Sequence, residues 1–402
     1  MYNRPVDPLD NPFSPGAGDP PPELAGRDEL RRTVAIALER TRRGLSAKSV
    51  LMVGLRGVGK TVLLDRLRDD AETAGIHTIR IEAPEGRSLP GLLAPELRSA
   101  FLRLSHIERA RTAAVRALRA LAGFAGSLKV RYQDLQVSID LEPEPGLADN
   151  GDLEHDLQAL IEAAGVAARA ADTALALFID ELQYVAETEL SALIVALHRA
   201  SQAKLPIILV GAGLPQLSAR MGNAKSYAER LFEFPTLEPL PPAASRLAIA
   251  APLRKENVVI NDDALELIIS ETQGYPYFLQ EWGKHTWDIA KKSPITRADV
   301  ETASKRAVAA LDANFFRVRF DRLTPLERRY LRGMADLGPG PHRSGDIAEE
   351  LHRPVTTLAP TRAKLIEKGM IWSPSHGDTA FTVPLFDEFM QRIMPGEDWR
   401  TR

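Results

Sequence analysis

Short, almost continuously apolar runs alternate with amphipathic helical patterns over the first 240 residues. Four runs read as strands: 49–53, 78–81, 174–179 and 206–210. Strands that are apolar on both faces are typical of a parallel sheet covered by helices on each side. We therefore predict an α/β core built on a parallel sheet, with ligand sites at the carboxyl ends of its strands.

Proline-rich segments divide the chain into four parts. Residues 1–22 are expected to be extended, because proline recurs there too often for a helix or a central strand. The α/β core then spans 23–240 and ends in a second proline cluster. An all-helical domain is expected over 241–320, and a further domain over 321–395.

Composition narrows the classes of protein without choosing one. The chain is 44% hydrophobic and 26% charged, with a formal net charge of −3 and no cysteine. Disulfides, thiolate metal sites and a cysteine nucleophile are excluded. No apolar run has the roughly 20 residues of a membrane helix, and the first residues lack the apolar centre of a signal peptide. The expectation is a cytoplasmic protein without a membrane partner.

The first strand runs into a GxxxxGK(S/T) motif that is followed by a helical pattern. Its residues are Gly54, Leu55, Arg56, Gly57, Val58, Gly59, Lys60 and Thr61, with Val62 next. In this context glycines let successive N–H groups wrap a phosphate at a helix N-terminus. Lys60 would neutralise the β- and γ-phosphate oxygens, and Thr61 would hold Mg²⁺. The motif predicts binding of ATP or ADP.

Two carboxylates follow the third apolar run. Asp180 is expected to coordinate Mg²⁺, and Glu181 to act as the general base on the attacking water. The open alternative is that both acids only begin a helix. The 120 residues from Lys60 to Asp180 are many for two neighbouring strands, so we expect an insertion over 92–145.

Two further residues are candidates for sensing or stabilising the γ-phosphate. The fourth strand ends in glycine and alanine, so Gln216 is the nearest polar substitute for a sensor. Arg230 is assigned as a catalytic arginine finger that reaches a neighbouring copy, or it is an exposed helix arginine.

Four segments carry a resemblance to a known family: 24–30, 178–183 (FIDELQ), 210–217 (VGAGLPQL) and 274–279 (GYPYFL). They resemble the Orc1/Cdc6-like and STAND branch of AAA+-type P-loop ATPases. The resemblance implies an α/β P-loop core, an all-α lid and a winged helix. It also implies that the segment leading into Arg27 contacts adenine and that Pro276 packs near the base. The lid has Pro276-Tyr277 where replication initiators carry a sensor arginine, which favours slow turnover.

The insertion combines a basic helical pattern over 93–124 with an alternating pattern over 129–141 that predicts a hairpin. Six arginines lie on the helical stretch. They would contact a phosphate backbone, or they form a solvated helix face.

The last part of the chain has the element order of a winged helix-turn-helix. Helices are predicted over 325–336, 344–351 and 354–368, followed by strands over 370–373 and 379–383. The possible contacts to double-stranded DNA are Arg353, Thr356, Thr357, Arg362 and Lys364. Residues 321–402 hold twelve basic and twelve acidic side chains, so a protein-binding role stays open.

Together these patterns predict an ATP- and Mg²⁺-dependent AAA+/STAND-type ATPase that acts as a molecular switch. It would associate with DNA through its winged helix, with self-association driven by nucleotide. The alternative is a signalling or scaffold ATPase whose winged helix binds protein.

Overall fold

The computed structural model describes residues 6–16, 18–135, 137, 139–396 and 399. The chain forms two compact units. Residues 27–54 and 60–236 make up one, which we call the sheet unit. The described residues within 1–26, 55–59 and 237–402 make up the other, which we call the helical unit.

The sheet unit is built on parallel strands, as the apolar runs predict. Its strands are β1 (Ser49–Gly54), β2 (His77–Glu82), β3 (Leu175–Asp180), β4 (Ile207–Gly213), β5 (Phe232–Glu233) and β6 (Thr236–Leu237). The order is β2-β3-β4-β1-β5, and β6 pairs with β1. Every residue of β1, β3 and β4 is buried, which explains their continuous apolarity.

Eight helices accompany these strands in the described part of the sheet unit. They are α1 (Asp28–Arg42), α2 (Lys60–Thr73), α3 (Leu89–Ser105), α4 (Arg111–Leu128), α5 (Leu153–Ala170), α6 (Glu187–Gln202), α7 (Leu217–Ala224) and α8 (Ala228–Leu231). Charged residues in the first and last turns stabilise the ends of α1. In α1, acids occupy the first turn and arginines the last, which suits the helix dipole.

The sheet order corrects the assumption that β1, which leads into the phosphate loop, and β3, which ends in Asp180, are neighbouring strands. β1 and β3 are not neighbours, because β4 lies between them and pairs with both. The long interval between Lys60 and Asp180 therefore holds β2 as well as an insertion. Residues at the carboxyl ends of β1 and β3 still share one edge of the sheet.

The single helical stretch expected over 93–124 is wrong. The structure has α3 and α4 instead, separated by a short 3-10 turn at Glu108–Ala110. An unbroken helix of that length would extend about 48 Å. Folding back lets α4 pack on α3 and α5, so that side chains such as Phe101 and Phe124 are fully buried.

The hairpin expected over 129–141 is also wrong for the described residues, which form turns without a strand. Residues 136 and 138 lie outside the described residues. Leu135 is buried in the core of the sheet unit, and the alternating Val137, Ile139 and Leu141 pack against it. The alternation thus reflects one-sided packing and not strand pairing.

The helical unit continues the numbering in chain order. Its helices are α9 (Pro242–Lys255), α10 (Asp262–Thr272), α11 (Pro276–Ile289), α12 (Arg297–Ala310), α13 (Arg317–Asp321), α14 (Pro325–Asp336), α15 (Ser344–Glu350), α16 (Val355–Glu367) and α17 (Phe386–Ile393). A π-helical segment, Leu311–Phe316, joins α12 to α13. The strands β7 (His342–Arg343), β8 (Ile371–Trp372) and β9 (Asp378–Phe381) form a small antiparallel sheet in the order β7-β9-β8.

The expected boundary near residue 320 is crossed by an aromatic core. Phe316 stacks on Phe389 with ring centroids 5.2 Å apart, and Phe320 meets the same ring edge-on. Phe278 of α11 joins this cluster through Phe316. The two expected domains therefore share one packed interior.

The described part of the N-terminal segment is largely extended and lies against α11. The indole N–H of Trp287 donates a hydrogen bond to the carbonyl of Asp7 at 2.7 Å. Phe13 is buried on Gly283, where an added Cβ would lie 2.6 Å from the ring. None of the helices in the described part of the chain has the length and apolarity needed to cross a membrane.

Candidate functional site

The predicted phosphate loop turns sharply between β1 and α2. Gly57 and Gly59 have φ values of 81° and 86°, in a backbone region that residues other than glycine rarely adopt. Lys60, the first residue of α2, is only 8% exposed, and its Nζ donates to the carbonyl of Gly54 at 3.0 Å. Its ammonium group is therefore held across the loop, at a helix N-terminus suited to an anion.

The tip of this loop, Leu55–Gly59, belongs to the helical unit and makes two backbone hydrogen bonds there. Tyr277 N donates to Gly57 O at 3.1 Å, and Arg56 N donates to Thr382 O at 3.0 Å. A Cβ added to Gly59 would lie 3.9 Å from Pro276. Pro276 thus lies beside the loop, in the first turn of α11.

Asp180 ends β3 as the most deeply buried carboxylate of the site, at 1% exposure. Glu181 N donates to its Oδ1 at 2.8 Å, and the Thr61 hydroxyl interacts with the same carboxylate. Burial raises the pKa of Asp180 above the usual range, while the Thr61 hydroxyl opposes that rise. A hydroxyl and a desolvated carboxylate placed together are hard oxygen ligands of the kind Mg²⁺ takes.

No group of three or more His, Asp or Glu side chains with metal-ligand spacing occurs in the described part of the chain. The Thr61 and Asp180 pair could therefore complete a magnesium shell only with water and with oxygens from a bound phosphate, as Mg²⁺ usually does.

Glu181 is positioned by a residue that the sequence reasoning did not single out. Its backbone is left-handed, with φ of 54°, and its Oε2 accepts a hydrogen bond from Gln183 Nε2. Gln183 is only 5% exposed, and its Oε1 accepts from Leu214 N at 2.9 Å. A polar residue two positions after Glu181 was the available signal. Gln183 ties the carboxylate to the end of β4.

A second missed residue, Arg80, lies on β2 next to β3. Its Nε donates to Asp65 at 2.6 Å, its Nη1 to the carbonyl of Ile81 at 2.6 Å, and its Nη2 lies 3.5 Å from Asp180 Oδ2. The signal in the sequence was an arginine inside an otherwise apolar strand. This guanidinium supplies a positive charge next to the buried carboxylate.

Gln216 lies just before α7, near the end of β4. Its Oε1 is buried and accepts no hydrogen bond from the residues that the structure describes. Gln183 and not Gln216 occupies the position between β4 and Glu181. Gln216 remains a prediction as a phosphate sensor.

Arg230 is exposed in α8 and lies away from Lys60 of its own chain. The neighbouring Phe232 pairs with Ser49, the first residue of β1, whereas the phosphate loop follows the last. A six-residue strand spans roughly 17 Å. A role for Arg230 as an arginine finger therefore requires a second copy.

Arg27 and Val62 are the two predicted nucleotide contacts that lie before and after the phosphate loop in the sequence. Arg27 lies half-buried just before α1, and burial lowers its pKa. Val62 is in the first turn of α2. Their predicted contacts to nucleotide remain predictions.

The side chains predicted to contact DNA differ in exposure and in their hydrogen bonds within the protein. Arg353, Thr356, Thr357 and Lys364 are exposed around α16. Arg362 instead donates to Thr379 Oγ1, Ser373 Oγ and the carbonyl of Asp378, all within 2.9 Å. Its guanidinium holds the β8–β9 connection, and its contact to DNA remains a prediction.

Four of the six arginines on the predicted helical stretch of the insertion are engaged within the sheet unit. Arg103 and Arg109 donate to the carbonyls of Thr78 and Ala171. Arg111 and Arg116 pair with Glu108 and Glu144. These contacts favour the solvated, self-paired face over a surface for a phosphate backbone.

Comparison with known proteins agrees with this geometry. Residues 23–210 match the family model described as AAA ATPase domain, and residues 313–390 match a domain of unknown function, DUF8462. No curated protein matches the chain in sequence.

Many solved structures are similar to the chain, and three of them illustrate the likeness. A Walker-type ATPase of Pyrococcus abyssi has a TM-score of 0.56 at 17% identity, covering 92% of this chain and 96% of that one. A RuvB variant of Thermotoga maritima gives 0.45 at 17%, covering 89% and 93%. The Orc1 protein of Aeropyrum pernix in complex with DNA gives 0.43 at 15%, covering 92% and 93%. The first likeness shows the fold, and the other two are too distant to support an argument.

The sheet unit therefore has an α/β fold of the P-loop NTPase kind, and residues 23–210 are similar to the family model described as AAA ATPase domain. This bears out the predicted fold class of the core.

Proposed function

We propose that the chain binds ATP with Mg²⁺, hydrolyses it slowly, and uses the bound nucleotide to control its helical unit. The observation that carries the proposal is the buried Asp180 at the end of β3, whose Oδ1 accepts a hydrogen bond from Glu181 N and whose carboxylate interacts with the Thr61 hydroxyl. The contact with Thr61 joins the loop that would hold phosphates to the acids that would act on them.

Each of these residues has a distinct task. Lys60 and the loop N–H groups bind the phosphates, and Glu181, oriented by Gln183, takes a proton from the attacking water. Mg²⁺, when bound, would be held by Thr61 and, through water, Asp180, and would neutralise charge on the phosphates. Burial disfavours the ionised form of Asp180 and raises its pKa, and a bound cation would stabilise that ionised form.

Slow turnover is supported by the position of Arg230. It lies by the amino end of β1, so one chain alone lacks this finger, and the lid carries Pro276-Tyr277 instead of a sensor arginine. A second copy would supply Arg230, which links hydrolysis to self-association.

Control of the helical unit is supported by the contacts of the loop tip. Arg56 N donates to Thr382 O, just after β9, and Tyr277 N donates to Gly57 O. A loop that rearranges around phosphate would alter both contacts, so nucleotide and helical unit would be coupled.

The C-terminal elements support a winged helix-turn-helix that touches duplex DNA through the exposed Arg353, Thr356, Thr357 and Lys364. A protein partner is the second candidate, because Arg362 is engaged internally and the same helix exposes apolar positions. Val355 is 45% exposed, beside Ala359 and Ala363.

Nucleotide binding is tested by titrating a fluorescent ATP analogue into the wild type and into Lys60→Met, Thr61→Val and, as a control, Lys129→Met. We expect Lys60→Met to abolish binding, and Thr61→Val to weaken it only when Mg²⁺ is present. Phosphate release should be lost in Glu181→Gln. Equal binding by the wild type and Lys60→Met would reject the proposed site.

The macromolecular partner is tested by fluorescence anisotropy with duplex DNA at low salt, with and without ATP. Binding that weakens in the Arg353→Ala/Lys364→Ala variant supports the DNA proposal. Absence of binding in both nucleotide states rejects it and favours the protein-binding candidate.

A further inference from the structure

A cavity lies in the sheet unit, at the amino ends of its strands. Its volume is about 230 Å³. Lys48 comes directly before β1, Leu205 lies just before β4, and Phe232 begins β5. The phosphate loop follows the opposite end of β1, roughly 17 Å away along the strand. The cavity is therefore separate from the nucleotide site.

The rim of this cavity is strongly basic. Lys48, Lys204 and Arg230 line it together with His198, and no Asp or Glu side chain is among the lining residues. In the part of the chain that the structure describes, none of the three cations forms an ion pair with a carboxylate. Lys48 Nζ has only the carbonyl of Glu229, at 3.5 Å. Three uncompensated charges in one rim repel each other and attract an anion.

The walls that carry these cations are held by hydrogen bonds of their own. The guanidinium of Arg40 donates twice to Ser46 O, at 3.1 and 3.0 Å. On the other side, Arg169 Nη2 donates to the carbonyls of Ala203 and Lys204, at 3.0 and 2.8 Å. The cavity is thus formed before any ligand enters, which is typical of small-molecule sites.

The base of the cavity is apolar. Leu197, Leu205, Ile207 and Phe232 line it and are buried, and the Ser46 and Ser201 hydroxyls add polar groups above them. The ring of His198 lies against Tyr227 with centroids 4.9 Å apart, which fixes its orientation. A ligand that fits has a charged head for the rim and a small apolar body for the base.

We propose that this cavity binds an organic phosphate monoester whose apolar body is about the size of one ring. A phosphate dianion presents three oxygens and can engage several cations at once, which suits three basic side chains better than a carboxylate does. The cavity is a ligand site of the sheet unit at the end of β1 opposite the phosphate loop.

The test is calorimetric titration of the full chain at low salt with phenyl phosphate, benzoate and inorganic phosphate. Four proteins are compared: wild type, Lys48→Met/Lys204→Met, Lys60→Met and the surface control Lys129→Met. Phenyl phosphate should bind with one-to-one stoichiometry to Lys60→Met and Lys129→Met. Binding to the double variant should be about tenfold weaker or more, as expected for lost charge-assisted hydrogen bonds. Benzoate and inorganic phosphate should bind more weakly than phenyl phosphate.

Lys204→Glu is a second variant, on an exposed side chain, that keeps the fold and reverses one charge; it should abolish binding. Its thermal unfolding midpoint should match that of the wild type. Loss of phenyl phosphate binding in Lys60→Met alone would place the ligand on the phosphate loop and overturn the proposal. Equal affinity in wild type and the double variant, or no binding to any of the four proteins, would overturn it as well.

Discussion

Replacing Gln183 by leucine separates positioning of Glu181 from the proton transfer itself. Leucine has a similar volume but can neither donate to Glu181 Oε2 nor accept from Leu214 N. We expect a lower kcat for ATP hydrolysis with little change in KM, because the nucleotide is held by other residues. The change also leaves the buried N–H of Leu214 without a partner.

The magnitudes follow from these two hydrogen bonds. An unpartnered buried donor costs about 1–3 kcal/mol of unfolding free energy, which urea denaturation measures. A general base contributes about 10²- to 10⁴-fold to the rate, so losing its orientation should lower kcat by about tenfold and by no more than the loss of the base. Gln202→Leu, on an exposed glutamine at the end of α6, is the matched control and should change neither quantity.

A double-mutant cycle distinguishes this role from general damage. If Gln183 acts through Glu181, adding Gln183→Leu to Glu181→Gln should lower the phosphate release rate no further, while still lowering stability. Rate losses that multiply in the double variant would refute the reasoning. So would a Gln183→Leu enzyme with an unchanged kcat.

Three further changes have clear expectations. Asp180→Asn should raise the unfolding free energy of the nucleotide-free protein at pH 7. Burial raises the pKa of Asp180 in the folded protein, so the wild type gains stability as pH falls through that pKa. The difference in unfolding free energy between the variant and the wild type, measured by urea titration, should therefore shrink at low pH. Arg362→Ala should cost about 1–3 kcal/mol of stability by removing three hydrogen bonds, whereas Lys364→Ala should stay within about 0.5 kcal/mol. Gly57→Ala should cost about 1–2 kcal/mol and weaken ATP binding, because its φ is 81° and a Cβ there is strained; an unstrained Gly222→Ala in α7 should not destabilise.

The parts of the fold that were predictable are those with a local signal. Four strands, the phosphate loop and the helix that follows Thr324 each have a pattern that is complete within a short continuous stretch of sequence. At Thr324 a capping box with Glu327 forms as the spacing implies. The β3 strand likewise delivers Asp180 at its carboxyl end.

The parts that were not predictable depend on partners distant in the chain. Nothing near β1 or β3 indicates that β4 pairs between them, since strand order is decided by long-range packing. Gln183 has an ordinary polar side chain in the sequence, and its function follows only from the positions of Glu181 and Leu214. The alternation around Leu135 predicted a hairpin because the period of two cannot distinguish a strand from a segment that packs on one side.

The contacts of the loop tip also limit how strong a nucleotide switch this chain can be. A ligand shifts a conformational equilibrium only by the difference in its interaction with the two states. Arg56 N cannot donate fully to both Thr382 O and a phosphate oxygen, so binding would exchange one backbone hydrogen bond for another. A net value of about 0.5–1.5 kcal/mol for such a bond gives a shift of about two- to tenfold. If the Tyr277–Gly57 bond is lost as well, the two together give at most about 3 kcal/mol. Nucleotide would therefore bias the helical unit, and a complete transition would require further energy from a partner or a second copy.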